Sequence, residues 1–524
     1  MRKTLIGFLL ILITSCSIGE KKLQQSFLRD DKLSEKTKLE RVLDANYLES
    51  LKLNKTEIIW IRNVYSKSNY MRFFATDSCL KEIAFDLRCE LNRSIWYGIP
   101  KIRIRQPKNN KLHPLEQEVI LMLNLGRMIT DLNQGFFDFK SKRLKESLSS
   151  DFDPKYLLKQ IDTISFSKLF QKQGPADTNY RFLSYNIYNY GRNHIIDTNE
   201  FNISSTSKPE KIFEGAKKSL LSKGWIDEKM DSTEVIQKLK LFQLENGING
   251  DGKLGENTLY ALNESTYEKL LRASLSLDRL RSSSEKPKKY VRVNIPEFKL
   301  YFYADDTLRN IHRIIVGKQT NPTPELESRI SRIICHPYWK VPQSIANKEI
   351  LPAQKSNRNY LSKNHYKIYK SGNLEVDPQS ISWSGKSSMP FTVIQQPGSF
   401  NSLGIIKFEF NNSYSVYVHD TPNKKLFNTV FRSYSHGCMR CENPIDLAKS
   451  ILTFDSLPRK VNPYRADTLD SLLAKPENLA IPLIEPIPIY VVYETVVAEK
   501  DLLIFHLDLY RREEELIKLL KGEK

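Results

Sequence analysis

The chain has 524 residues, with 80 Lys+Arg against 61 Asp+Glu and a formal net charge of +19. Its hydrophobic content of 40% still allows sizeable cores in about three domains, and beyond the start no stretch is long and apolar enough to span a bilayer as a helix. The cation excess attracts polyanions, but acids interleave with it, as in Glu35-Lys36-Thr37-Lys38-Leu39-Glu40-Arg41, so a solvated basic surface is an equal reading.

Met1-Arg2-Lys3 is a positive start, and residues 4–14 are almost wholly apolar. A run of about 11 residues is too short to cross a bilayer but suits a signal-peptide core. Ile13-Thr14-Ser15-Cys16 resembles a bacterial lipobox, which implies cleavage before Cys16 and lipid attachment to its thiol. On this reading residues 1–15 are a signal peptide and 16–35 a polar tether. The rest faces the periplasm of a Gram-negative-type cell, anchored to the inner or outer membrane. Five cysteines remain: Cys79, Cys89, Cys335, Cys438 and Cys441. An exported chain can form disulfides, and Cys79 could pair with Cys89. An odd count leaves at least one free thiol, which needs a reason.

From 36 to 210 the patterns are mainly helical. Val119, Leu121, Met122, Leu125, Met128, Ile129 and Leu132 recur at helical spacing. Residues 174–210, rich in Asn, Tyr, Ser and Gly, read as an irregular connection. Residues 211–264 form a compact unit of two helical patterns and a final helix from about Glu256 to Asn263. Leu239, Phe242 and Ile248 would fill a small core, Asn246-Gly247 ends a helix, and Asp251-Gly252 with Gly255 marks a turn. The whole resembles the small three-helix peptidoglycan-binding domain. That implies contact with glycan strands, although the unit could instead brace a neighbouring lid. Residues 265–287 read as a linker helix broken by Ser282-Ser283-Ser284.

Beyond 288 the period changes to two. Tyr290 to Ile295 and Lys299 to Tyr303 read as strands around Pro296, and Ile311 to Val316 as another. Residues 288–455 are therefore a β-rich domain, interrupted at about 345–390 by a segment long enough to be a lid. Residues 456–524 contain a strand near Ile487 to Tyr493 and are expected to pack back on this domain. The fold class is α+β and multidomain.

The chemistry concentrates in Tyr417-Val418-His419-Asp420-Thr421-Pro422 and Ser433-Tyr434-Ser435-His436-Gly437-Cys438-Met439-Arg440-Cys441. Alternation of Val416 and Val418 places His419 at a strand end. A cysteine beside histidines suits thiolate catalysis, because a nearby imidazole lowers the thiol pKa from about 8.5. The turn Ser435-His436-Gly437-Cys438 can aim N–H groups at an oxyanion. Arg440 adds positive charge near the thiolate or a substrate carboxylate.

A histidine, a short spacer and SHGCxR resemble the signature of L,D-transpeptidases with a YkuD-type catalytic domain. Asn294-Ile295-Pro296, the segment His336 to Ala346, Leu403-Gly404 and His419-Asp420-Thr421-Pro422 further resemble the large multidomain, YcbB-like branch. The resemblance implies that Cys438 is the nucleophile and His419 the general base, with Ser435, His436, Gly437 and Arg440 supporting the site. Tyr338, Trp339 and Thr421 are substrate-binding candidates, with core packing the alternative for the two aromatics. The implied reaction forms 3→3 peptidoglycan cross-links through an acyl-enzyme on stem tetrapeptides, with no cofactor, no metal and no nucleic acid partner.

Two residues depart from the family pattern. Cys441 creates a Cys438-x-x-Cys441 pair, and Cys335 precedes the Pro337-Tyr338-Trp339 segment. The pair opens a thiol–disulfide reading. Zinc held by His419, His436, Cys438 and Cys441 is a further reading. An L,D-carboxypeptidase or linkage hydrolase would use the same Cys–His site, and a wall-binding lipoprotein with a vestigial site would need none of it.

Overall fold

The computed structural model describes residues 28, 30–106, 112–161, 163–282, 286–371, 374–457 and 460–523. The signal segment, Cys16 and most of the tether lie outside the described residues.

Helix α1 (Pro114–Gln134) is capped by His113 and Glu116, carries Pro at its first position and is buried nearly all round. An all-round buried helix needs partners for its polar groups. Accordingly the Glu118 carboxylate accepts from the N–H groups of Phe73, Phe74 and Ala75 at 2.6–2.8 Å and from the Tyr65 hydroxyl at 2.8 Å.

The stretch expected to be irregular contains a second helix, α2 (Thr178–Asn193), N-capped by Asp177. Its buried stripe is Tyr180, Leu183, Ile187 and Tyr190. The spacing is helical, but tyrosines supply half of the stripe and conceal it among polar residues. Cys79 and Cys89, considered as a pair, are both free and exposed.

Three helices follow: α3 (Pro209–Ser222), α4 (Ser232–Glu245) and α5 (Glu256–Asn263). Leu239, Phe242, Leu259 and Leu262 fill their core. The buried Gln243 side chain holds the turn beyond α4, accepting from Gly252 N at 2.7 Å and donating to Thr258 Oγ1 at 3.0 Å. Gly247 sits at φ +62° after α4, the left-handed position where glycine costs least.

Helix α6 (Thr266–Arg281) is more than a linker. Leu270, Leu271, Ala273, Leu275 and Leu277 belong to the same core as α1 and α2. Its polar side chains bind backbone in the helical region: Asp278 accepts from Phe136 and Phe137 N at 2.9 and 3.0 Å, and Arg281 donates to Tyr97 and Gly98 O at 2.7 and 3.0 Å.

The strands are β1 (Tyr290–Asn294), β2 (Lys299–Ala304), β3 (Thr307–Gly317), β4 (Leu326–Cys335), β5 (Ile406–Phe410), β6 (Val418–His419), β7 (Ser433–Ser435), β8 (Met439–Cys441) and β9 (Leu479–Val492). They form one sheet in the order β7-β3-β8-β6-β5-β4-β9-β1-β2, and pairing of β2 with β3 closes it on itself. Its core contains Val293, Leu300, Ile333, Phe408, Val418 and Met439, with helix α7 (Pro444–Thr453) packed through Leu447 and Ile451.

The segment after 455 contributes a strand to this sheet. Strand β9 runs antiparallel to β4 and parallel to β1. Only its second half was legible, because Pro482 and Pro486 argue against a central strand. The structure absorbs them in a register shift between Pro482 and Ile487, where the buried Asp455 carboxylate accepts from Ile484 N at 3.0 Å. The chain then returns to the helical core through β10 (Val496–Glu499), β11 (Leu502–Phe505) and α8 (Glu514–Lys521), which bury Val496, Leu503, Phe505, Leu516 and Leu520 there.

Between β4 and β5 the insertion is wider than 345–390. Its sheet runs from Trp339–Lys340 through Tyr366–Lys370 and Leu374–Val376 to Thr392–Gln395. It has its own core of Ile350, Leu361, Ile368, Trp383, Phe391 and Val393.

Candidate active site

Strands β6 and β8 run parallel, with Val418 opposite Met439 and His419 opposite Arg440. Met439 N donates to Tyr417 O at 3.0 Å, which extends the pairing towards Cys438. Side chains alternate across a sheet, and directly opposed residues share a face. Val418, Met439 and Cys441 take the core face. Tyr417, His419, Cys438 and Arg440 therefore share the other. Expected residues separated by 19 positions in sequence are brought together by a single parallel ladder.

The same alternation bears on the two competing readings. Cys441 is fully buried on the core face, and burial pushes its thiol far above the ordinary range. It points away from Cys438 and His419, so neither a Cys438–Cys441 disulfide nor the four-residue zinc set fits this geometry. Cys335 is likewise buried, its thiol pushed up to about 11 by burial.

Tyr417 was not anticipated as a site residue. Its ring lies edge-on to His419 with centroids 5.5 Å apart, and its hydroxyl interacts with both the Cys438 thiol and the Trp339 indole. The signal was present in sequence: it stands two residues before His419, hence on the same face. Trp339 also packs against Tyr366 of the insertion, with ring centroids 6.3 Å apart. Tyr338 is 52% exposed. Thr421 is buried, and its hydroxyl accepts from Asn423 N at 3.3 Å, shaping the turn after β6.

Electrostatics differ from the sequence expectation. Burial raises the Cys438 thiol above its ordinary value, against hydrogen bonds from Tyr417 and the charges of Lys407 and Arg440. Burial lowers His419 to about 3; the Arg440 and Lys407 charges add to this, while backbone groups of Asp420 and Leu403 oppose it. The resting pair is therefore neutral thiol and neutral imidazole, rather than thiolate and imidazolium. A neutral imidazole can still accept the thiol proton as attack proceeds.

The turn before Cys438 is closely held. Gly437 has φ +113°, a conformation that favours glycine. Ser435 Oγ donates to Cys438 O at 2.5 Å and accepts from Gly437 N at 3.1 Å. Among the N–H groups of this turn, that of Gly437 is thus engaged within the turn itself. His436 Nε2 lies 2.6 Å from Glu349 Oε1 of the insertion.

A second set of bonds braces the turn from outside. Thr323 Oγ1 donates to Gly437 O at 2.8 Å and accepts from Gly317 N at 2.9 Å. Tyr510, between β11 and α8, donates to Gly317 O at 2.6 Å and accepts from Thr323 N at 3.1 Å. Thr323→Val leaves buried partners unsatisfied and is expected to cost about 1–3 kcal/mol. We expect roughly tenfold slower acylation of Cys438, with Thr323→Ser restoring it. Unchanged kinetics in the valine variant would show that the turn does not depend on this brace.

Residues 288–461 match the family described as the L,D-transpeptidase catalytic domain, YkuD. A Haemophilus influenzae protein named "Putative L,D-transpeptidase" is 32% identical over 219 residues, 42% of this chain and 43% of that protein. The chain thus spans less than half the length of this curated relative. Among solved structures, the Ldtfm-avibactam carbamoyl enzyme is 13% identical, with a TM-score of 0.18 over 40% of this chain and 49% of that one. A mutant of the Enterococcus faecium L,D-transpeptidase is 10% identical, with a TM-score of 0.17 over 39% and 50%. By the family match, residues 288–461 are similar to the L,D-transpeptidase catalytic domain, YkuD.

Proposed function

We propose that the chain forms 3→3 peptidoglycan cross-links by two acyl transfers through Cys438. The observation carrying this is the shared sheet face of Tyr417, His419, Cys438 and Arg440. His419 takes the proton from Sγ as sulfur attacks the carbonyl of the third stem residue, diaminopimelate. The tetrahedral intermediate collapses, the bond to the terminal D-Ala breaks, and His419 returns the proton to the leaving amine. A side-chain amine of a second stem then attacks the thioester, giving its proton to His419. The new amide forms and the thiolate leaves, to be reprotonated.

Within this reading the three-helix unit contacts glycan, the insertion between β4 and β5 acts as a lid, and lipid on Cys16 tethers the protein at a periplasmic membrane face. Incubation of the protein with a purified disaccharide-tetrapeptide tests the acceptor. A cross-linked dimer is expected. Tripeptide alone would replace transpeptidation by carboxypeptidase action, and unchanged substrate would overturn the enzymatic reading.

A further inference from the structure

The ladder that joins His419 to Arg440 continues on its other side. Lys407 of β5 lies directly opposite His419, and Ile334 of β4 opposite Lys407. His419 is thus flanked by Lys407 on one strand and Arg440 on the next, all on one face. The Lys407 ammonium stands 4.4 Å from the centroid of the Tyr417 ring, the ring whose hydroxyl meets Cys438. None of this was visible in the sequence, because it depends on the register between β5 and β6.

Lys407 has a carboxylate neighbour, Glu409 Oε1, at 2.9 Å. That carboxylate is shared: Arg332 Nε lies 2.6 Å from Glu409 Oε2. Three cations on this face, Arg332, Lys407 and Arg440, therefore face one carboxylate among these residues. A thiolate would offset part of the excess, but Cys438 and His419 both rest neutral. Such a surplus beside a reacting centre favours an anionic group on the ligand.

Resting on the proposed acyl transfer, we infer that Lys407 is a specificity-determining residue that receives a carboxylate of the donor stem peptide. Two carboxylates on that peptide have the required chemistry: the C-terminal one and the one on the side chain of the third residue. An ammonium bonded to a carboxylate gives a charge-assisted contact. Placed beside Tyr417 and His419, it would fix the scissile carbonyl relative to Sγ.

The test measures the rate of Cys438 acylation by intact mass for wild type, Lys407→Met and Lys407→Arg. Each protein meets three donors: the disaccharide-tetrapeptide, its C-terminal amide, and its side-chain amide at the third residue. Methionine keeps the apolar stem over Tyr417 and removes only the charge. Wild type is expected to prefer the free acid over one of the amides by about 10–100-fold. Lys407→Met should lose that factor on the free acid and react with that same amide as wild type does. Lys407→Arg should retain most of the preference. The amide that loses the preference identifies which carboxylate is held. An equal loss on all three donors, or no loss on any, would overturn the assignment. No acylation of wild type by any donor would instead overturn the transpeptidase reading on which it rests.

Discussion

Cys438→Ala should abolish the covalent adduct with a tetrapeptide donor, and His419→Ala should slow its formation by about 10²–10⁴-fold. The two effects differ in kind. Without sulfur there is no atom to carry the acyl group. Without the imidazole the thiol remains, but the base that would take its proton is gone. The pH dependence separates two forms of the site. With Cys438 raised by burial and His419 lowered to about 3, the thiolate fraction at neutral pH is small. Alkylation by a small neutral reagent should then rise about tenfold per pH unit through neutrality. Donor acylation, which uses the neutral imidazole as base, should show no fall between about pH 7.5 and 5, because His419 stays unprotonated there. A flat alkylation profile down to acid pH would mean a preformed thiolate–imidazolium pair and would sink the neutral-pair description.

The second large effect is expected at Gly404, before β5. Its φ is +62°, and a Cβ there would lie 2.2 Å from Asp420 Oδ2 and 2.4 Å from Asp420 Cβ. The second of these atoms cannot swing aside, because it sits on the backbone next to His419. Asp420 is buried, its carboxylate accepts from Ile405 N at 3.0 Å, and its own N–H donates to Ile406 O at 2.9 Å. Gly404→Ala therefore strains the left-handed position and displaces the residue that ties β6 to β5. A cost of about 2–4 kcal/mol is expected, equivalent to a melting temperature lower by roughly 5–15 °C. Acylation should fall as well, since His419 moves with Asp420. A variant that melts within about a degree of wild type would show that the chain accommodates the methyl group.

Much of the site could be read from sequence because its signals are local. SHGCxR, the strand-end histidine and the glycine turn each occupy a few consecutive residues. Lys407 and the Thr323–Tyr510 brace could not be read, because both depend on pairings between strands and segments far apart in the chain. In the fold, helices α3, α4 and α5 share a core built on short-range turn and apolar patterns. Helix α2 was missed because tyrosines share its buried stripe, and α6 was underrated because arginines that bind backbone in the interior resemble solvated ones. The prolines of β9 obscured a central strand, since local propensity opposed a tertiary register that absorbs them.

The position of β9 sets an order of events during synthesis. Val293 of β1 pairs with Val491 of β9, and Ile333 of β4 pairs with Ile481. Until those late residues leave the ribosome, β1 and β4 each present an unpaired edge, although Cys438 and His419 have already emerged. The three-helix unit can form early from nearby contacts, whereas sheet closure waits for β9. Nascent chains halted before residue 479 should therefore carry the nucleophile yet lack a finished sheet to hold it. The thiol would gain its working surroundings only once β9 has emerged and paired.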